Sequence, residues 1–330
     1  MAHEMLPTAG SALITRRTLL GGGLAATAAG VLVPSAFGQA KKDEPAKIPE
    51  PEPVSLETKD GVQLKAMYYG GTAKKKSVPI LMIHGWGGQQ DEYRLMALSL
   101  QKQKEGYSIM TVDLRGHGGS TRQRQPDNDF KEIDPAKMRN TDLDKMVLDL
   151  EACKKFLVKK NNAGELNVSA LCLVAAEFGA IIALKWSFLD WSVERLPAYK
   201  QGQDVRGIAL LSPVESFKGC TARPAINSPV IREKTISKMI CVGGDDSKAL
   251  AEARRMHTTF EKFHGKPPPA EDAAQKQDLF FVSVETKLQG TQLLDRAFTT
   301  PRDLATFVNL RLVAKMDDFP WEERRNPLGN

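Results

Sequence analysis

The sequence predicts an α/β fold in which helices cover both faces of a mostly parallel sheet. Short apolar runs of strand length alternate along the chain with segments of helical periodicity. The run from Val168 to Val174 lacks polar alternation, which is typical of a strand buried on both faces. Alternating strands and helices favour parallel strands joined by helical crossovers. A chain of 330 residues, 42% hydrophobic and 26% charged, suits one such domain.

The N-terminal region has the composition of a targeting segment. Arg16 and Arg17 precede a Gly/Ala-rich apolar run, and the small residues Ala36 and Gly38 follow it. This pattern predicts a signal peptide over residues 1–38. The paired arginines resemble a twin-arginine export signal, so we expect a periplasmic or extracellular protein. The alternative is that the segment stays uncleaved as an anchor, which is the only route by which we expect membrane contact.

The remaining chain divides into a linker, a domain and a tail. Residues 39–53 are charged and proline-rich and are expected to form a linker, because they cannot bury enough apolar surface to order themselves. The α/β domain is expected over residues 54–316, with a C-terminal tail over 317–330. Two alternating runs around Asp60-Gly61 predict a hairpin at its start. Further strands are expected at Val78–His84, Tyr107–Asp113, Val168–Val174, Val205–Leu211, Ile236–Val242 and Leu279–Val284. Helices are expected at Glu92–Gln103, Asp142–Lys160, from Phe178 onwards, Ser247–Phe263 and Pro301–Ala314.

Charge and cysteine spacing exclude several functional classes. The net charge of +6 is spread along the chain without an aromatic-interleaved basic stripe, which argues against nucleic-acid binding. The four cysteines match no zinc or redox spacing, and Cys172 and Cys241 fall in apolar runs where packing is expected. No cluster has metal-ligand spacing, so neither a metal nor an organic cofactor is expected. The expected partner is a small molecule or a protein.

Three unusual loops follow buried strands. HGWGG starts at His84, DLRGHGGS starts at Asp113, and a sharp strand–turn–helix is centred on Glu177. Sites in parallel sheets lie at the carboxyl ends of the strands, where all three loops fall. These motifs, in this order, resemble the α/β-hydrolase family from Val54 to Ala314.

The resemblance implies an eight-stranded, mostly parallel sheet without a large lid. It also implies that backbone N–H groups near Trp86 and Phe178 form an oxyanion hole, which stabilises charge on a carbonyl oxygen. The pocket positions that it implies are His84, Gly85, Gly87 and His117.

The family's chemistry uses Ser, an acid and His in chain order. Here the nucleophile position holds Glu177, and the acid position offers Asp245 or Asp246. Asp246 also has the pattern of a helix N-cap. The histidine position is assigned to Gln289, and no histidine follows His264. Glutamine cannot take up and return a proton near neutral pH.

These departures predict a binding or structural module, hydrolase-like by descent but without Ser-His-Asp catalysis. The Glu177 carboxylate is expected to occupy the oxyanion hole itself, because a helix N-terminus favours an anion. The alternative is an active hydrolase of ester, amide or related bonds. It would use Glu177 as a carboxylate nucleophile, or a relocated base such as His84 or His117. Aspartate serves as nucleophile in related enzymes, but glutamate is longer, and its ester intermediate still needs a base.

Overall fold

The computed structural model describes residues 47–324, apart from 195, 197, 198, 266–268 and 270–275. The expected signal peptide and most of the expected linker therefore lie outside the described residues. Regular structure begins with a strand at Glu52, slightly earlier than the expected domain boundary.

The main sheet has ten strands within the described residues. The described residues form twelve strands in all, two of which lie outside this sheet: β1 (Glu52–Glu57), β2 (Val62–Tyr69), β3 (Pro79–Ile83), β4 (Ser108–Val112), β5 (Arg122–Arg124), β6 (Phe130–Glu132), β7 (Leu171–Ala176), β8 (Val205–Leu211), β9 (Ser216–Phe217), β10 (Cys220–Thr221), β11 (Ser237–Gly243) and β12 (Leu279–Val284). The main sheet follows the order β12-β11-β8-β7-β3-β4-β2-β5-β6, with β1 paired to β2. Pairing from β12 to β4 is parallel, and the remaining pairs are antiparallel. β9 and β10 form a separate small hairpin.

The predicted α/β fold and its mostly parallel sheet are confirmed, with two additional strands. β5 and β6 lie in the polar segment after the DLRGHGGS loop, for which no strand was expected. Each has three residues, mostly exposed, and so carries no hydrophobic alternation that could indicate a strand. The hairpin expected around Asp60-Gly61 is β1 and β2.

Helices cover both faces of the sheet. The helices are α1 (Arg94–Gln101), α2 (Asn140–Asp144), α3 (Val147–Asn162), α4 (Phe178–Ser192), α5 (Arg223–Ile226), α6 (Pro229–Arg232), α7 (Ser247–His264) and α8 (Thr300–Val308). In β3, Leu81 and Ile83 join one apolar cluster with α3, α4 and α7. Ile80 and Met82 join a second cluster with α1 and α8. Successive side chains of a strand point to opposite faces of the sheet. Because helices cover both faces, the side chains of β3 on each face are apolar.

Two element boundaries differ from expectation for local reasons. The helix expected from Asp142 to Lys160 is divided into α2 and α3. The strand expected at Val168 begins at Leu171, because a short 3-10 turn precedes it. The Asn167 side chain caps that turn by accepting a hydrogen bond from the Ser169 N–H.

Within residues 317–324, which fall in the expected C-terminal tail, Arg324 packs against the α/β domain. Arg324 is buried, and its guanidinium contacts the Asp204 carboxylate, the Ser169 hydroxyl and the Lys200 carbonyl. These partners lie more than a hundred residues away in the chain, so local composition could not indicate them.

All four cysteines are buried and free. Cys172 in β7 and Cys241 in β11 lie in the second apolar cluster, so the predicted packing role is confirmed for both. In the described part of the chain, no helix is long and apolar enough to cross a bilayer.

Candidate functional site

The turn between β7 and α4 has the sharp geometry expected of it. Glu177 is the single residue between the strand and the helix, with φ 46° and ψ −113°. A positive φ is costly for a residue with a side chain, and such strain persists where surrounding structure imposes it, often at functional sites. Gly179 allows α4 to pass close to β3, since a Cβ there would lie 2.5 Å from the carbonyl oxygen of His84.

A cavity of about 450 Å³ opens beside this turn and is called the elbow cavity below. Its lining combines the HGWGG loop, the turn and the loop after β12. The lining residues are Gly85, Trp86, Gly87, Gly88, Glu92, Glu177, Gln289, Thr291 and Gln292. The structure therefore brings the predicted nucleophile position and the predicted histidine position together.

The Glu177 carboxylate lies against the HGWGG loop but accepts no hydrogen bond from a described residue. The two are close enough that a Cβ added at Gly85 would lie 2.4 Å from Glu177 Oε2. The side chain makes no capping hydrogen bond to α4. This corrects the expectation that Glu177 occupies the oxyanion hole itself. Burial raises the pKa of the Glu177 carboxyl, and the nearby charge of Glu92 raises it further.

Glu92 provides a second carboxylate in the elbow cavity. Its Oε1 accepts a hydrogen bond from the Gln89 N–H at 3.1 Å, and its Oε2 accepts one from Thr291 Oγ1 at 2.7 Å. Neither lysine, arginine nor histidine is among the described residues that line the cavity. The cavity therefore carries two acidic side chains and no basic one.

Gln289 is fixed by hydrogen bonds at both ends of its amide. Oε1 accepts from Ser212 Oγ at 2.6 Å and from the Gly243 N–H at 3.2 Å. Nε2 donates to the carbonyl oxygens of Gly243 at 3.0 Å and Lys287 at 3.3 Å. The histidine position thus holds a rigid amide that has no proton to transfer.

Among the described residues, neither acid candidate is a hydrogen-bond partner of the Gln289 side chain. Asp246 caps α7 by accepting hydrogen bonds from the N–H groups of Lys248 and Ala249. Asp245 is exposed, and neither carboxylate lines the elbow cavity. Of the two interpretations of Asp246, the N-cap agrees with the structure.

The two candidate histidines lie behind the cavity wall, which corrects their expected pocket positions. His84 Nδ1 donates to the Gly85 carbonyl at 2.7 Å, and its Nε2 accepts from the Leu114 N–H at 3.0 Å. His117 donates through Nδ1 to the Arg115 carbonyl at 3.0 Å. Both rings are buried, and burial lowers the pKa of each. Neither ring lines the elbow cavity, so neither can serve there as a relocated base.

The two expected oxyanion-hole residues pack against each other. The Trp86 and Phe178 rings meet edge to face with centroids 5.4 Å apart, and Phe217 of the β9–β10 hairpin contacts both. Lys218 places its Nζ 4.4 Å from the centroid of the Trp86 ring. In the described chain, neither the Trp86 nor the Phe178 N–H donates a backbone hydrogen bond in a turn or loop. Their role as oxyanion donors stays a prediction.

Two site residues were not identified from the sequence. Glu92 is the third residue of a short 3-10 helix, Gln90–Tyr93, and an acidic residue in the first turn of a helix is common without any functional role. Ser212 adopts φ 50° directly after β8, and its hydroxyl holds both Gln289 and the Gly290 N–H. Its location at the carboxyl end of a parallel strand is the signal that could have indicated it.

The fold, the sharp turn and the adjoining cavity define an α/β-hydrolase-fold protein. Residues 74–239, half of the chain, match the family described as serine aminopeptidase, S33. This chain belongs to that family. The residue at the elbow is nevertheless Glu177, not a serine. No curated protein matches the sequence.

Solved structures of low sequence identity share the fold. An esterase of Pyrococcus furiosus is 15% identical, with a TM-score of 0.55 over 80% of this chain and 91% of its own. A dienelactone hydrolase of Anabaena variabilis is 15% identical, with a TM-score of 0.51 over 81% and 99% of the two chains. An acylaminoacyl peptidase of Pyrococcus horikoshii is 12% identical, with a TM-score of 0.52 over 85% and 43%.

Proposed function

We propose that this chain is an exported α/β-hydrolase-fold protein that binds a ligand in the elbow cavity and lacks Ser-His-Asp catalysis. The observation that carries the proposal is the hydrogen bonding of Gln289, whose amide is engaged at both ends where a general base is needed. A carboxylate at the nucleophile position and an N-capping Asp246 agree with it. What remains at the site is a shaped, polar cavity suited to binding.

A second function, hydrolysis through Glu177 as a carboxylate nucleophile, is favoured by one observation. The Glu177 carboxylate accepts no hydrogen bond from a described residue and faces the cavity. However, the raised pKa of Glu177 reduces the fraction of nucleophilic carboxylate. Release of the resulting ester also requires a base to activate water, and the lining residues provide none besides Glu92.

Covalent labelling tests the absence of serine chemistry. Incubation of the protein with a fluorophosphonate, followed by intact-mass measurement, is expected to give no adduct, because no activated serine lines the cavity. The matched variant Glu177→Ser with Gln289→His restores a nucleophile and a base and is expected to gain labelling. An adduct on the unaltered protein, mapped to a residue of the cavity, contradicts the proposal.

Export rests on the N-terminal pattern and is tested by cell fractionation. The full chain, produced in a bacterium with a twin-arginine pathway, is expected in the periplasm as a shortened species. Replacing Arg16 and Arg17 by Lys is expected to leave the full-length precursor in the cytoplasm. A full-length protein that stays membrane-bound contradicts cleavage and supports the anchor.

A further inference from the structure

A second hollow adjoins the elbow cavity and is called the side hollow. It has a volume of about 470 Å³. Its lining residues are Glu92, Leu95, Met96, Leu288, Thr291, Gln292, Leu294, Asp295, Ala297 and Phe298. Glu92, Thr291 and Gln292 line both hollows, so the two lie side by side and are together called the trough.

The side hollow is open and mainly apolar, although Asp295 also lines it. Leu95 on α1 is 59% exposed, and Leu288 in the loop after β12 is 43% exposed. Met96, Leu294 and Phe298 complete the apolar lining. Exposed large hydrophobic side chains that converge on one hollow indicate a surface that is covered by an apolar group when occupied. The trough is therefore apolar at one end and polar at the other.

The polar end of the trough is acidic and lacks a counter-charge. Glu177 and Glu92 are its charged side chains, and the described lining contains no basic group. The negative charge of Glu92 opposes a second negative charge on Glu177, and a bound cation offsets this electrostatic cost. A ligand with a negative head group would increase this electrostatic cost. The electrostatics therefore select a cationic head group.

The environment of Trp86 indicates what kind of cation fits. Quaternary ammonium groups bind mainly through aromatic faces. The Trp86 ring already has Lys218 Nζ 4.4 Å from its centroid. The other recognition groups at this end are carboxylate oxygens, which accept hydrogen bonds. A primary ammonium group, which has three N–H donors, matches these acceptors, whereas a trimethylammonium group does not.

We propose that the trough binds an amphipathic primary amine, with its ammonium group between Glu177 and Glu92 and its alkyl chain in the side hollow. This inference rests on the proposed binding function and names the ligand class of the same site. Both carboxylates lie against glycines of the HGWGG loop, since a Cβ at Gly88 would lie 2.7 Å from Glu92 Oε1 and one at Gly85 would lie 2.4 Å from Glu177 Oε2. The alkyl chain covers Leu95 and Leu288.

Calorimetric titration of the full chain with n-octylamine at pH 8 tests the proposal. Octylamine is expected to bind at least about a hundredfold more tightly than octanoate, which has the same type of chain and the opposite charge. Butylamine is expected to bind at least about tenfold more weakly than octylamine, because fewer methylene groups are buried. Octyltrimethylammonium is also expected to bind at least about tenfold more weakly, because it lacks N–H donors.

Single substitutions separate the two ends of the trough. Glu177→Gln and Glu92→Gln are each expected to weaken octylamine binding about tenfold or more. Leu288→Ser is expected to weaken octylamine but not butylamine, because only the longer chain reaches the side hollow. Glu285→Gln, which removes an exposed carboxylate of the same loop outside the trough, is expected to leave binding unchanged. Thermal unfolding of each variant confirms that it is folded.

Equal binding of octylamine and octanoate, or tight octylamine binding to both folded Glu→Gln variants, overturns the proposal. This outcome is distinguishable from failure of the proposed function. Loss of amine selectivity without ester turnover refutes only the ligand class. Ester turnover together with selective amine binding refutes only the absence of catalysis.

Discussion

Replacing Asp204 by asparagine is expected to destabilise the folded domain by about 3–5 kcal/mol. The Asp204 side chain is buried among three cations. Lys154 Nζ lies 3.0 Å from Oδ2, Lys200 Nζ lies 2.8 Å from Oδ1, and the Arg324 guanidinium also contacts Oδ1. Asparagine keeps the shape of the side chain but removes its negative charge. Among the described residues, the carboxylate contact that then remains for these three cations is the one between Lys154 and Asp190. Uncompensated charge in a buried site is costly.

The same cluster gives this stabilisation a definite pH dependence. Burial by itself raises the pKa of Asp204, but Lys154, Arg324 and Lys200 outweigh burial and lower it below its ordinary value. A lowered pKa means that the stabilisation is present above the unfolded pKa of about 3.9 and is lost as the pH falls through the folded value. The difference in the free energy of unfolding between the unaltered protein and Asp204→Asn should therefore become smaller as the pH falls.

Urea unfolding of the unaltered protein and of Asp204→Asn at pH 7 measures the change in the free energy of unfolding. Asp245→Asn is the matched control, because Asp245 is exposed and its substitution should change the free energy of unfolding by less than about 0.5 kcal/mol. A change below about 1 kcal/mol for Asp204→Asn contradicts the account of this cluster. Such a result would also mean that Arg324 does not fix the C-terminal segment through charge.

Replacing Gly179 by alanine is expected to cost about 3 kcal/mol, the upper end for one added methyl group. A Cβ at this position would lie 2.5 Å from the carbonyl oxygen of His84 and 2.9 Å from that of Ile83. Both are main-chain atoms of β3 and the loop after it, so they cannot move aside by rotating a side chain. The start of α4 has to shift away from the sheet, which disturbs the turn that carries Glu177.

Gly70→Ala is the matched control for this substitution. The nearest atoms to a Cβ there lie at 3.5 Å, an ordinary contact distance, so its effect should stay below about 1 kcal/mol. Both variants can be compared by urea unfolding at neutral pH. Equal stability of the two variants would mean that α4 does not need its close approach to β3.

The sequence was sufficient to predict the eight buried or alternating strands and the turn, because their signals are local, whereas the short β5 and β6 were missed. β8 and β12 have the predicted bounds, and Glu177 lies at the strand–helix junction as expected. Each of these rests on an apolar run ended by small or polar residues. The resemblance to the α/β-hydrolase family placed Gln289 at the histidine position in the loop after the last strand, and Gln289 lines the elbow cavity.

The contacts that determine the chemistry could not be predicted in the same way. Glu92 meets Thr291 across 199 residues of sequence, and Ser212 meets Gln289 across 77. Such pairs depend on how the loops are placed at the end of the sheet. For the same reason, the sequence suggested His84 as a pocket residue, whereas its ring nitrogens bond to main-chain groups behind the cavity.

Fold and chemistry separate in this protein. The parallel sheet, the sharp turn and the glycine-rich loop are retained, but the groups around them are carboxylates and an immobilised amide. The strained turn that presents a nucleophile in related folds here presents a carboxylate to the trough. Under the proposed function, the site keeps its position in the fold and serves to bind a ligand.

Initial rates of hydrolysis test this central claim most directly. A panel of chromogenic short-chain esters is offered to the unaltered protein and to Glu177→Gln under identical conditions. The account predicts no turnover above buffer for either protein, because the cavity has neither a serine nucleophile nor a histidine base. Clear turnover by the unaltered protein that Glu177→Gln abolishes would contradict it and would establish Glu177 as a catalytic residue.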